Sequence, residues 1–182
     1  RRIASAASAD ATVLSAVKGI ERETGRRMSE IIQAELPGRP VAVLSGPNLS
    51  REVAAGLPGS TVVATSEADE VALREAFHSS SLRVYMSRDV VGVELGGALK
   101  NVIAIAAGMV DSLGFGDNAK AALLTRGLAE ISRLGVAAGA DPLTFQGLAG
   151  MGDLVASSYS SLARNRRLGE VIGGGTTLDE AP

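Results

Sequence analysis

Cysteine is absent from this 182-residue chain, and histidine occurs once. Without thiols no disulfide can staple the fold and no thiolate can hold a metal, and one imidazole does not make a zinc site. A cysteine-free chain fits a reducing compartment, so a cytoplasmic location is expected. An excess of one charge is missing as well. The 18 Lys and Arg stand against 20 Asp and Glu, and the basic residues are spread along the chain. That distribution leaves no general footprint for nucleic acid, and none is expected as a partner. The opening "RRIASAASADATVL" lacks a continuous apolar run, so it does not read as a signal peptide. No internal repeat is present. The lone His78, beside "SSS", reads as a surface residue.

What is present is material for a core: 46% of the residues are hydrophobic and 21% charged, a globular balance. Strand patterns over 11–17, 40–44, 60–65 and 82–86 alternate with helical patterns over 26–36 and 67–77 and a short helix after "SGPN". Alternation of this kind predicts an α/β sheet with helices on it, its later strands antiparallel in one arrangement. From about residue 90 the patterns are helical: 91–110, 118–139, a shorter helix after Pro142, and 164–172. A domain boundary is expected near Arg88, giving an α/β part over 1–88 and a helical part over 89–182. The first residues read as the end of a helix and a turn at Ser8 to Asp10. At the other end, Thr177 and Glu180 have capping-box spacing just before the last residue. Both ends read as cut.

The stretch "VGVELGGALKNVIAIAAGMV", 91–110, is long enough for a bilayer, but two charges and four glycines argue for a buried helix and against a membrane span. Leu95, Leu99, Val102, Ile103, Ala106 and Val110 form one expected apolar stripe. Lys100 lies beside it. Its amine either snorkels to water over a buried stem or sits desolvated in a cleft, where it can move protons. The helix alone does not choose.

Several turns combine glycine with a polar residue. "VKGIE" places Lys18 beyond a strand's C-terminal end, the edge where open α/β sheets bind ligands. "LSGPN" places Gly46 and Asn48 at the next strand end, before a helix whose N–H groups can face an anion. "GLAGMGDLV" puts Asp153 on an expected loop, as a helix cap or a functional carboxylate. "ARNRR" puts Arg164, Asn165, Arg166 and Arg167 at a helix start, where cations oppose the helix dipole unless an anion sits there. "GFGDNA", 114–119, matches a dinucleotide fingerprint but follows a helix, so it reads as a helix connection with Asp117 or Asn118 as cap. No other stretch fits the fingerprint.

In this order, "VKGIERETGRRMSEII", "VLSGPNLSREVAAGLP", "GVELGGALKNVIAIAAGMVDSLGFGDNAKAALLTRGLAEISRLG", "LAGMGDLV" and "RNRR" resemble bacterial NAD(P)-dependent glycerol-3-phosphate dehydrogenases. The resemblance implies the later part of a Rossmann-type NAD(P)-binding domain followed by an all-α substrate domain. It implies interconversion of dihydroxyacetone phosphate and sn-glycerol 3-phosphate with NAD or NADP, feeding glycerophospholipid synthesis, and allows for a homodimer. By that resemblance Lys100 is the proton acceptor, and Lys18 contacts both cofactor and substrate. Gly46, Asn48, Asp153, Arg164 and Asn165 become substrate residues; Ser50 and Arg164 become cofactor residues. Asn48 stands where serine or threonine is frequent, and Ala163 where a serine usually precedes "RN", which removes one hydroxyl from the implied site. Lacking a fingerprint loop, the 182 residues alone are expected to be inactive.

Two rivals remain at this level. A 3-hydroxyacid dehydrogenase resembles "GGxxKxxxN", but position 104 is Ala and the asparagine follows the lysine directly as Asn101. A non-catalytic phosphosugar-binding module would use the same cations without turnover.

Overall fold

A computed structural model describes residue 8 and residues 10–66, 68–177 and 179. The helix end expected within the first seven residues and the capping partner Glu180 lie outside them.

Four strands, β1 (Val13–Ser15), β2 (Val41–Ser45), β3 (Gly59–Thr65) and β4 (Leu82–Ser87), form one sheet in sequential order. β1 pairs parallel with β2, β2 antiparallel with β3, and β3 parallel with β4. The antiparallel step falls where the link is only "GPNL", the short α2 (Ser50–Ala54) and a turn. The two parallel steps each carry a helix, α1 (Met28–Glu35) and α3 (Glu70–Phe77), as crossover geometry requires. Val41, Ala42 and Val43 are all buried, so both sheet faces are covered. Ala42, Val63 and Val84 pack with Leu73 and Phe77 of α3 on one face. Val43 and Ala64 pack with Val93 of the following helix on the other.

That helix is α4 (Val90–Ser112), opened by Asp89, whose side chain accepts from the Gly92 N–H. α5 (Gly116–Ala137), α6 (Pro142–Gln146), a single π-helical turn (Leu148–Gly152), α7 (Asp153–Tyr159) and α8 (Arg164–Gly173) follow. α4 is long and apolar enough to cross a membrane, yet half of that stretch is buried. It packs on β2, α5, α7 and α8 as the central helix of the fold.

Three expectations need correction here. Val102 of the expected stripe is 67% exposed, whereas Gly96, Gly97, Lys100, Ala104, Ala107 and Gly108 are buried. Small residues rank low as hydrophobes but admit a neighbouring helix closely, and close approach set the buried face. A Cβ on Gly108 would collide with the Arg166 carbonyl, and one on Gly169 with the Ile105 carbonyl, so α4 and α8 cross backbone to backbone. Asp153 is not on a loop: it is the first residue of α7, entered directly from the π-helical turn. Asp117 and Asn118 do not cap α5, which begins at Gly116 after the turn through Gly114 (φ 68°).

Candidate active site

Lys18 lies three residues beyond β1, on the edge where β2 also ends, and its amine spans two parts of the fold. Nζ donates to the Gly46 carbonyl at 2.9 Å and to Asp153 Oδ2 at 2.5 Å. The other carboxylate oxygen, Oδ1, accepts from Lys100 Nζ at 2.8 Å. Lys100 also donates to Ser157 Oγ, one turn along α7 from Asp153. One carboxylate therefore holds two ammonium groups, from the strand edge and from α4. Asp153 is 2% exposed and Lys100 7%. Burying Asp153 and Lys100, with Lys18 partly buried beside them, is tolerable only because the three pair and are hydrogen-bonded.

Burial depresses the Lys18 pKa, and the neighbouring Lys100 charge acts the same way; Asp153 opposes both, and the result is a lowered value. Two cations on one carboxylate leave positive charge unneutralised, and it faces a cleft of ≈ 560 Å³. Lys18, Arg51, Lys100, Arg164 and Arg167 give that cleft five cationic side chains, and no carboxylate is among its lining residues. Such a cleft concentrates anions.

Asn48, Ser50 and Asn165 also line it, so six of the eight expected residues (Lys18, Asn48, Ser50, Lys100, Arg164 and Asn165) meet at one cleft. The other two stand behind it. Gly46 contributes the carbonyl that holds Lys18, and Asp153 lies beneath the lysines with both oxygens occupied. Asn48 donates to Thr61 Oγ1 at 2.8 Å, while its buried Oδ1 has no partner among the described residues. Asn165 donates to Asn101 Oδ1 at 2.8 Å, tying the start of α8 to the residue after Lys100.

Asn101, Ser157 and Arg51 were not among the expected site residues. Ser157 is four residues from Asp153, a spacing that becomes meaningful once 153–159 is read as a helix. Arg166, by contrast, turns away from the cleft: it pairs with Asp111 of α4 and Glu170 of α8. The anion that relieves its misplacement at a helix start is a side chain of the same molecule.

A cation-lined cleft between the C-terminal strand edge of an α/β sheet and a helical bundle, with a lysine–carboxylate–lysine cluster at its floor, marks an α/β protein built to handle a small anion. The chain belongs to the NAD-dependent glycerol-3-phosphate dehydrogenase family. Its residues 1–71 match the model of that family's N-terminus and residues 89–182 that of its C-terminus. A glycerol-3-phosphate dehydrogenase [NAD(P)+] of Geobacter sp. is 57% identical over 175 residues, 94% of this chain and 52% of the relative. One from Sphingopyxis alaskensis is 55% identical over 170 residues, 92% of this chain and 50% of the relative. The crystal structure of glycerol-3-phosphate dehydrogenase from Coxiella burnetii superposes with a TM-score of 0.94 at 40% identity, covering 98% of this chain and 55% of that one. The chain thus spans about half the length of the curated relatives it matches.

Proposed function

We propose that this chain supplies the proton-transfer and phosphate-binding machinery of an enzyme interconverting dihydroxyacetone phosphate and sn-glycerol 3-phosphate. The observation that carries the reading is the Lys18–Asp153–Lys100 cluster at the floor of a cleft whose rim holds Arg164 and Asn165. The division into an α/β part over 1–88 and a helical part over 89–182 belongs to the same reading. It is supported by the two residues that separate β4 from α4. A cytoplasmic enzyme feeding glycerophospholipid synthesis, assembled as a homodimer, is the setting that the family suggests.

The residues present fit a nicotinamide cofactor. Ser50 and Arg164 are exposed on the cleft wall, and a guanidinium fork suits anionic oxygens. NAD or NADP, when bound there, supplies or accepts the hydride. Lys100 acts on the substrate oxygen. As carbonyl becomes alcohol that oxygen gains negative charge, and the Lys100 ammonium stabilises and then protonates it. In the other direction the neutral amine takes the hydroxyl proton. Asp153 and Ser157 orient the amine, and Lys18 adds charge beside the cofactor and the reacting centre. At the far end Arg164 and Asn165 take the phosphate, helped by the N-terminus of α8, which no side chain caps. Asn48 contributes its unpartnered Oδ1, and Gly46 acts through its hold on Lys18. Ala104, where the 3-hydroxyacid dehydrogenase pattern has asparagine, is fully buried and away from the cleft lining.

The test is Lys100→Ala in the full-length protein. Turnover should fall by roughly 10²–10⁴-fold with NAD(P)H affinity retained in isothermal titration. A variant that keeps more than about a tenth of the activity would exclude proton transfer by Lys100. A non-catalytic binding module would instead bind glycerol 3-phosphate with no turnover in the wild type. The 182 residues alone are expected to show no oxidation with either nicotinamide.

A further inference from the structure

Outside the cleft, one cluster of charges touches the helices that carry the site. Asp111 is one residue from the C-terminal end of α4, where the helix dipole disfavours a carboxylate. Its Oδ2 accepts from Lys120 Nζ of α5 at 2.7 Å and from Arg166 Nε of α8 at 2.9 Å; Oδ1 accepts from Lys120 at 3.0 Å. Arg166 Nη2 lies 2.8 Å from Asp111 Oδ2 and 2.8 Å from Glu170 Oε1. Lys120, 4% exposed, places its ammonium 4.3 Å from the centre of the Tyr159 ring at the end of α7. None of these five side chains lines the cleft. Yet α4 carries Lys100, α7 carries Asp153 and Ser157, and α8 carries Arg164 and Asn165.

We propose that Asp111 is a positioning residue: by holding Arg166 and Lys120 it fixes the start of α8, with Arg164 and Asn165, at a set distance from Lys100. The helical geometry supports this. Arg164 and Arg167, three apart, face the cleft, while Arg166 between them is turned inward, with two of its nitrogens on the one oxygen Asp111 Oδ2, so this pair sets the rotation of the first turn. Burial pushes the Asp111 carboxyl up, but hydrogen bonds and charge from Lys120 and Arg166 outweigh it, and the carboxyl stays below its ordinary value.

The proposal rests on the phosphate role given to Arg164 and Asn165, and the full-length protein carrying Asp111→Asn tests it. Positioning and simple electrostatics differ in sign here. Removing a negative charge near a cationic site strengthens anion binding by Coulomb's law, whereas a misplaced α8 weakens it. We expect the KM for dihydroxyacetone phosphate to rise at least tenfold with kcat changed less than threefold, and the Kd for inorganic phosphate by calorimetry to rise at least fivefold. A merely structural role would reduce the folded fraction, lowering apparent kcat with KM unmoved. Where Asp111→Asn does not fold, Asp111→Glu keeps the charge on an arm one methylene longer, and a KM rise of about threefold is expected. Folded variants with unchanged or tighter phosphate binding, or with loss confined to kcat, overturn the proposal. If the wild type does not turn over the substrate, the proposed function fails, and the phosphate titration alone still decides the role of Asp111.

Discussion

Lys18 is the residue at which burial and charge work most visibly against each other. Its lowered pKa means that the unfolded chain holds more protons between the folded value and the ordinary lysine value. Across that alkaline window stability therefore rises with pH, while the cleft loses a cation. Phosphate binding by the full-length enzyme should accordingly weaken at a pH below the ordinary lysine range. Lys18→Arg, which does not titrate there, should remove that part of the decline. Calorimetric titration of inorganic phosphate across pH 7 to 10 checks both, and an identical profile for the two proteins would remove Lys18 from the anion site. Lys18 stood out in the sequence because a strand ended before it. That its partner is Asp153, 135 residues away, no local pattern contains.

Among the elements, the crossing of α4 and α8 decides whether Lys100 and the Arg164–Asn165 pair reach the same cleft. Gly108 and Gly169 face one another there, and either Cβ would strike the other helix's backbone, which cannot swing aside as a side chain does. Gly108→Ala should therefore push α8 outward, at a cost of about 1–3 kcal/mol for overpacking. The KM for the phosphate-bearing substrate should rise with it, through Arg164 and Asn165. Adding Gly169→Ala should cost less than the sum of the two single changes, because the helix has already moved. Thermal unfolding of the three variants and their KM values measure this. An additive pair with unchanged KM would mean that the crossing does not set the site. The same small residues explain why the buried face of α4 differed from the stripe of larger hydrophobes that periodicity predicts. Ranking by apolarity finds Val102, which solvent touches, and passes over Gly97 and Gly108, which neighbours cover.

At the scale of the whole molecule, a second buried ion pair joins the α/β layer to the helices. Glu94 of α4 accepts from Arg27 Nη1 at 2.9 Å, from the Ser29 N–H at 2.8 Å and from the Ser29 hydroxyl at 2.5 Å. These donors sit at the start of α1, so the carboxylate also meets a helix N-terminus. The 18–27 loop is held at one end by β1 and at the other by this contact, and Lys18 projects from it. Glu94→Ala leaves the Ser29 N–H and hydroxyl without their acceptor, while Arg27 keeps Glu30, and at about 1–3 kcal/mol for each buried donor left unsatisfied it should cost about 3–5 kcal/mol. At the entropy of unfolding of a domain this size, that corresponds to a fall in Tm of about 10 °C. A differential scan reading less than about 3 °C would show that solvent replaces Glu94 at little cost.

The sequence by itself determined the four strands and most of the helices, because period-2 and period-3.6 hydrophobicity are local signals; α7 was not among them, since seven residues after a glycine-rich run carry too little of either period. It also determined that lysine, arginine and amide side chains fall at strand ends and helix starts, where a chain that must turn can present them. Only the tertiary structure decided which of those side chains meet. Asp153 could be a loop cap or a functional carboxylate by sequence; packing made it the buried counter-ion of two lysines. "RNRR" was one cationic cluster by sequence; helix rotation against α4 sent Arg164 and Arg167 to the cleft and Arg166 to Asp111. The physical reason is common to both. These ion pairs join residues 53 to 135 positions apart, and their geometry depends on distances that exist only after the chain has closed on itself.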